Sequence, residues 1–276
     1  MALLQVNTFS QALSRIITFH IILPNDAPPE MLAGNSNYDR PMKTLYLLHG
    51  FSGSTQDWLT GSLIQELALK YNLAVVMPAG ENSFYLNGKG TGRGYETFTA
   101  VELPAYCQKT FGLSDKPEDN FIGGLSMGGF GAIHTALKYP EYFGKMFGLS
   151  SALIVNGIKG MKPGSHNDIA DYDYYTQIFG DLDKLDESEL ENESALIESL
   201  NNLEWYNKKN IYYDDIHAYL VKNNDFYNKI SSSNPLRKRY SNTYSKVNFK
   251  IITSVNIQAY YQELKKDSEK IDFIFN

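Results

Sequence analysis

A chain of 276 residues with 43% hydrophobic and 20% charged side chains can bury a sizeable core and is too apolar for disorder. Its 25 basic and 31 acidic residues give a net charge of −6, which argues against nucleic-acid binding. The one cysteine, Cys107, excludes an internal disulfide framework, and no apolar run approaches the roughly eighteen residues that span a bilayer.

The start, Met1-Ala2-Leu3-Leu4-Gln5-Val6-Asn7, lacks the basic and then apolar pattern of an export leader, so a cytoplasmic protein without membrane contact is expected. Arg15 to Leu23 (RIITFHIIL) is β-branched and apolar and stops at Pro24, which predicts a strand. Ala27 to Pro41 is a Pro/Gly/Asn loop. Thr44 to Leu48 is a short apolar run of the kind buried on both faces of a parallel sheet. Leu59 to Tyr71 has helical periodicity, and Leu73 to Met77 is the next strand. Gly80 to Gly94 is a glycine-rich loop, and Glu96 to Thr110 reads as a helix. Asn120 to Ile122 is a strand entering Gly123-Gly124, Gly128 to Lys138 is helical, and Lys145 to Leu149 is a further strand. Strands separated by helices imply right-handed crossovers and a mostly parallel sheet with helices on both faces, an α/β fold. Such sheets carry their sites in loops at the carboxyl ends of strands.

The sharpest motif lies at one such end: Gly124-Leu125-Ser126-Met127-Gly128-Gly129, a G-x-S-x-G pattern between a strand and a small-residue helix. A serine on so tight a turn is strained, and glycines on either side avoid collision, so the hydroxyl projects above the sheet. The helix behind it aims free N–H groups at developing negative charge. Ser126 is the candidate nucleophile. Leu45 to Gly53 (LYLLHGFSG) is an apolar strand running into His-Gly. There the Phe51 amide joins that of Met127 as an oxyanion donor, while His49 braces the loop.

The segments RIITFHIILPND, LYLLHGFSGSTQDW, NLAVVMPAGENSFY, YETFTAVELPAYC and FIGGLSMGGFGAIHTALKYPEYF resemble the esterase D-type branch of the α/β-hydrolase fold. That branch holds tributyrin, feruloyl and acetyl-xylan esterases and S-formylglutathione hydrolases. The resemblance runs through the first two thirds of the chain. It implies hydrolysis of short-chain carboxylic esters, small molecules, through an acyl-enzyme on Ser126, by a Ser–Asp–His triad without cofactor or metal. It also places Trp58 and the Asn82 to Tyr85 loop against the substrate.

The rest of the triad is harder to place. Gly180 is the last of 21 glycines, although average usage of about 7% predicts roughly seven in residues 181–276. This atypical portion contains the chain's one histidine after a plausible acid, His217, and the candidate acids Asp214 and Asp225; Asp215 beside Asp214 is equivalent. Each of these carboxylates also reads as an ordinary surface group. The family's Gly-x-His-x-Trp context is missing around His217. Val247 to Ser254, Ala259 to Lys266 and Ile271 to Phe275 read as strand, helix and strand, an order that in the family leads to the histidine loop. A truncated product and a changed reading frame after about residue 200 both fit that pattern. Alternatives to the esterase are therefore a non-catalytic hydrolase-fold protein that binds an acyl ligand or partner, and an acyltransferase of the same fold. The oligomeric state is open, a homo-oligomer included.

Overall fold

The computed structural model describes residues 1–187 and 248–252. Seven strands form one sheet in the order β1-β2-β4-β3-β5-β6-β7: β1 Ala2–Ser10, β2 Arg15–Leu23, β3 Lys43–Leu48, β4 Leu73–Pro78, β5 Asn120–Leu125, β6 Lys145–Leu149 and β7 Asn248–Ile252. β1 and β2 form an antiparallel hairpin, β2 runs antiparallel to β4, and β4, β3, β5, β6 and β7 are mutually parallel. The helical segments are α1 Pro29–Leu32, α2 Asp57–Gly61, α3 Ile64–Tyr71, α4 Tyr95–Thr97, α5 Leu103–Phe111, α6 Met127–Lys138, α7 Val155–Ile158 and α8 Tyr172–Phe179. None of the described helices is long and apolar enough to cross a membrane.

Strand alternation divides the apolar side chains between two faces. Tyr46, Leu48, Ala74, Val76, Ile122 and Met146 join Leu103, Cys107, Phe130, Ile133 and Leu137 of α5 and α6 in one cluster. Leu45, Leu47, Leu73, Val75, Phe121 and Phe147 join Ile64, Leu67, Ala68 and Tyr71 of α3 in the other. Cys107 is fully buried, and that burial pushes its thiol up to about 12.

Three elements depart from the sequence expectation. β1 was not anticipated: it is an edge strand whose Ala2, Leu4 and Val6 pack on the core while Leu3 and Phe9 face solvent. The expected helix Leu59 to Tyr71 is broken. Ser62 is extended (φ −145°, ψ 174°), and its hydroxyl donates to Trp58 O and accepts from the Ile64 amide, ending α2 and starting α3. The expected helix Glu96 to Thr110 forms from Tyr95 to Phe111 but opens into a π-turn at Phe98–Glu102, where the Leu103 amide reaches back to Phe98 O. Pro104 supplies the cause, because it has no N–H to give to Ala100 and its ring would clash there. Glu102 on that turn accepts from Ser10 Oγ and from the Ala12 amide, tying the β1–β2 hairpin to the helix.

Candidate active site

β5 ends beside β3 and β6, with Gly124 in register with Leu48 and Gly148. The chain then turns sharply into α6, and Ser126 sits on the turn with φ 54° and ψ −115°. A side chain held there costs of order 1–3 kcal/mol and persists only where its surroundings fix it. They do so here through the backbone. The Ser126 amide donates to Leu149 O at 2.8 Å, and its carbonyl accepts from Phe130 at 3.0 Å and Ala152 at 2.9 Å. The flanking glycines are sterically required: a methyl group on Gly124 would run into the Gly128 carbonyl, and one on Gly128 into Leu48 O and His49 O. The Ser126 hydroxyl makes no capping bond to α6.

The turn after β3 lies against this elbow. A methyl group on Gly50 would stand 3.6 Å from Ser126 Cβ, which places Gly50 beside the serine. Gly53 N–H bonds Gly50 O at 3.1 Å, and Ser52 at the third position has φ 62°, the geometry of a type II turn with Phe51 second. Among the described residues, no carbonyl or side chain accepts from the Phe51 amide or from the Met127 amide at the first position of α6. The Met127 amide thus follows the strained serine directly at the positive end of a helix, and the Phe51 amide follows Gly50, which lies beside that serine.

His49 is a brace. It is 2% exposed; its Nδ1 donates to Gly50 O at 2.8 Å and its Nε2 accepts from the Gly80 amide at 2.8 Å. Burial depresses its pKa, and the neutral Nδ1–H form satisfies both bonds. Tyr85 OH donates to His49 O at 3.1 Å. Asn82 Oδ1 accepts from the Ser52 amide at 2.7 Å, and Tyr174 OH of α8 donates to Asn82 O. The Phe51 ring lies edge-on to Tyr174, with centroids 5.6 Å apart.

Two residues expected to contact the substrate are buried. Tyr85 is fully buried in the core, and Trp58 is 9% exposed with its indole N–H on Leu48 O at 3.1 Å, packed in the α3-side cluster. An aromatic side chain in a loop, as at Tyr85, or on a short helix, as at Trp58, can turn inward as readily as toward a ligand, and here both rings are buried. Sequence reading also gave Asn82 only a lining role and missed its bond to Ser52; its one signal was a polar residue in the loop after the neighbouring parallel strand β4.

The described residues bring no histidine to Ser126. His20 Nδ1 pairs with Thr55 Oγ1 at 2.8 Å, and burial lowers its pKa. His134 Nε2 bonds Glu96 Oε2 at 2.9 Å, and His166 lies in an exposed turn bridged to Asp171. Burial alone would raise the Glu96 carboxyl, but His134, Lys138 and Tyr139 together outweigh it and hold it at about 2. Asp214, Asp215, His217 and Asp225 lie outside the described residues, as do the expected elements at 259–266 and 271–275. The strand expected at Val247 to Ser254 is present as β7.

An α/β-hydrolase is defined by this parallel sheet, its strand order and a serine on the strand-to-helix turn after β5. The family model described as "Putative esterase" matches residues 10–211, and the chain belongs to that family. An acetyl esterase of Caldicellulosiruptor saccharolyticus is 42% identical over 133 residues, 48% of this chain and 50% of that protein. The chain therefore matches about half the length of this curated relative. Among solved structures, the fluorophosphonate-binding serine hydrolase F of Staphylococcus aureus superposes with a TM-score of 0.64 at 24% identity, covering 100% of this chain and 98% of that one. An S-formylglutathione hydrolase of the same organism gives 0.60 at 23%, covering 100% and 99%. That of Agrobacterium tumefaciens gives 0.58 at 15%, covering 99% and 94%. At these identities the likeness is one of fold.

Proposed function

We propose that this protein hydrolyses carboxylic esters with short acyl groups through an acyl-enzyme on Ser126. The observation that carries the reading is Ser126 at φ 54° on the turn into α6, with Gly50 beside it; the Met127 and Phe51 amides that follow those two residues are the proposed oxyanion donors. Its family and its acetyl esterase relative support the same chemistry.

Ser126 Oγ attacks the ester carbonyl while a general base takes the hydroxyl proton. The carbonyl oxygen becomes anionic between the Phe51 and Met127 amides, where losing one donor typically costs about 3 kcal/mol of barrier. Collapse breaks the bond to the alkoxy oxygen, which leaves as the alcohol with the proton the base carried. Water, deprotonated by the same base, then attacks the acyl-enzyme, and the acid departs as Ser126 regains its proton. His20, His49 and His134 spend ring nitrogens on other partners. We assign the base to His217, oriented by Asp214 or Asp225.

Labelling by a fluorophosphonate probe, mapped by peptide mass, together with p-nitrophenyl acetate hydrolysis, tests the reading. Labelling at Ser126 and turnover that both vanish in Ser126→Ala are expected; an unlabelled, inactive wild type would reject it. One observation favours a second reading, a hydrolase-fold protein that binds an acyl ligand without turnover: among the described residues, His20, His49 and His134 bond partners other than Ser126. Probe labelling without sustained hydrolysis is the result that reading expects.

A further inference from the structure

β1 is an edge strand without the features that normally blunt one. It stands at the end of the sheet, and its nine residues pair with β2 without a bulge, from Ala2–Leu23 to Ser10–Arg15. Among the described residues its main chain bonds nothing outside that ladder, so the outward N–H and C=O groups are unpaired. Edges of this length are usually protected by lysine, proline or a bulge. The segment ALLQVNTFS holds no proline and no charged residue, although the chain carries a net charge of −6.

The outer face of β1 is symmetric about Val6. Leu3, Gln5, Asn7 and Phe9 alternate into solvent in the order apolar, amide, amide, apolar. Leu3 is 46% exposed, Phe9 58%, and Ile16, the β2 neighbour of Phe9, 67%. These are three of the four large exposed hydrophobic residues among those described. An antiparallel two-fold through Val6 sets Leu3 opposite the partner's Phe9 and Gln5 opposite the partner's Asn7. Each apolar pair then extends onto the Ile16 beside its phenylalanine. Asn7 Oδ1 already accepts from Thr18 Oγ1 at 2.6 Å, which leaves its Nδ2 to donate to the partner's Gln5 Oε1. An unrelated strand would meet the open edge groups but not this order of side chains; a second copy meets both.

We propose that two copies of this chain dimerise through β1, pairing edge to edge in antiparallel register about Val6 and joining two seven-stranded sheets into one. The seam is neutral, so two acidic chains meet where neither presents a like charge. Nine paired residues a side give a seam about 30 Å long. It buries on the order of 1,000 Å² in total, the lower limit for a specific interface. The dimer is therefore reversible and forms at roughly micromolar concentrations of chain. β1 lies four strands from β5, roughly 19 Å away, so each Ser126 stays open, and the dimer stands independently of the esterase reading.

Sedimentation velocity on the full chain between about 1 and 200 µM tests the proposal. The wild type is expected to shift from one chain to two across that range. Leu3→Lys and Phe9→Glu each set a charge against an apolar partner, and each should weaken association by about tenfold or more. The double variant L3K/F9E brings opposite charges together in both pairs. It should associate at least about threefold more tightly than either single variant, with a salt dependence that the wild type lacks. Both positions are exposed, so melting temperatures of dilute samples should stay close to wild type, which separates lost association from lost folding. A wild type that remains one chain throughout, as it would if the edge served a different protein, overturns the proposal. So does a dimer indifferent to both single changes, or a double variant no better than either of them.

Discussion

His49 Nε2 accepts the Gly80 amide at 2.8 Å, so a buried imidazole links the loop after β3 to the loop after β4. Its other nitrogen is committed to Gly50 O, and neither is left to carry a proton to or from a substrate.

That bond makes stability depend on pH in a defined direction. The His49 pKa is depressed below 6.5 in the folded chain, chiefly by burial. The unfolded chain binds a proton first, so the stability contributed by neutral His49 is complete above about pH 6.5 and declines as pH falls through that value. His20, also depressed by burial, adds to the same slope. Thermal melts between pH 7.5 and 5 should show a falling Tm. His49→Ala should reduce the slope without abolishing it, and should cost about 1–3 kcal/mol at pH 7.5 by leaving the Gly80 amide unsatisfied. A slope identical to wild type would contradict the assignment.

Phe51→Pro isolates the main-chain N–H proposed as an oxyanion donor. Proline is favoured at the second position of a type II turn, so the turn should survive while its N–H is deleted. A loss of about 10²–10³ in kcat is expected, with little change in melting temperature. Phe51→Ala controls for the ring contacts with Tyr174 and Phe84; it keeps the N–H and should retain most of the activity. Equal losses in the two variants would show that the ring, and not the amide, matters.

The elbow glycines should resist the smallest enlargement. Gly124→Ala and Gly128→Ala place a methyl group on main-chain carbonyls that cannot move away without unseating Ser126. Each should destabilise the fold by about 1–3 kcal/mol and remove probe labelling of Ser126. Urea unfolding and labelling on the same samples check both. Gly61→Ala, where nothing lies within 4 Å, is the control expected to keep both properties.

Glu96 supplies the acid limit. Its carboxyl is held at about 2 by His134, Lys138 and Tyr139 against the opposing effect of burial, compared with 4.5 when free. The stability it contributes is present above about pH 4.5 and is lost as pH falls toward 2. Glu96→Ala leaves its buried partners unpaired and should cost about 3–5 kcal/mol at neutral pH. Between pH 5 and 2, its unfolding free energy should fall less steeply than that of wild type.

Much of the architecture was legible because buried parallel strands are nearly continuous apolar runs. Arg15–Leu23 and Lys145–Leu149 lie within the bounds expected of them. The elbow was legible because its glycines are imposed by contact between main chains, which leaves a mark in residue type. β1 left a weaker mark, since an edge strand buries one face and mixes Leu3 and Phe9 into solvent. Trp58 and Tyr85 show a different limit: residue type reveals that an aromatic ring needs cover but not which side of its segment provides it. The bond from Ser52 to Asn82 joins residues thirty positions apart through a main-chain donor, and a main-chain donor has no identity in the sequence. Asp214, Asp225 and His217 carry no motif around them, so their assignment rests on order along the chain.

The burial of Cys107 has a practical consequence. The chain has no other thiol, and this one sits at 0% exposure with its proton held to about 12, so maleimide and iodoacetamide reagents should pass it by in the native state. A cysteine introduced at any exposed position would then be the sole attachment point for a dye or spin label, with the native sulfur left in place.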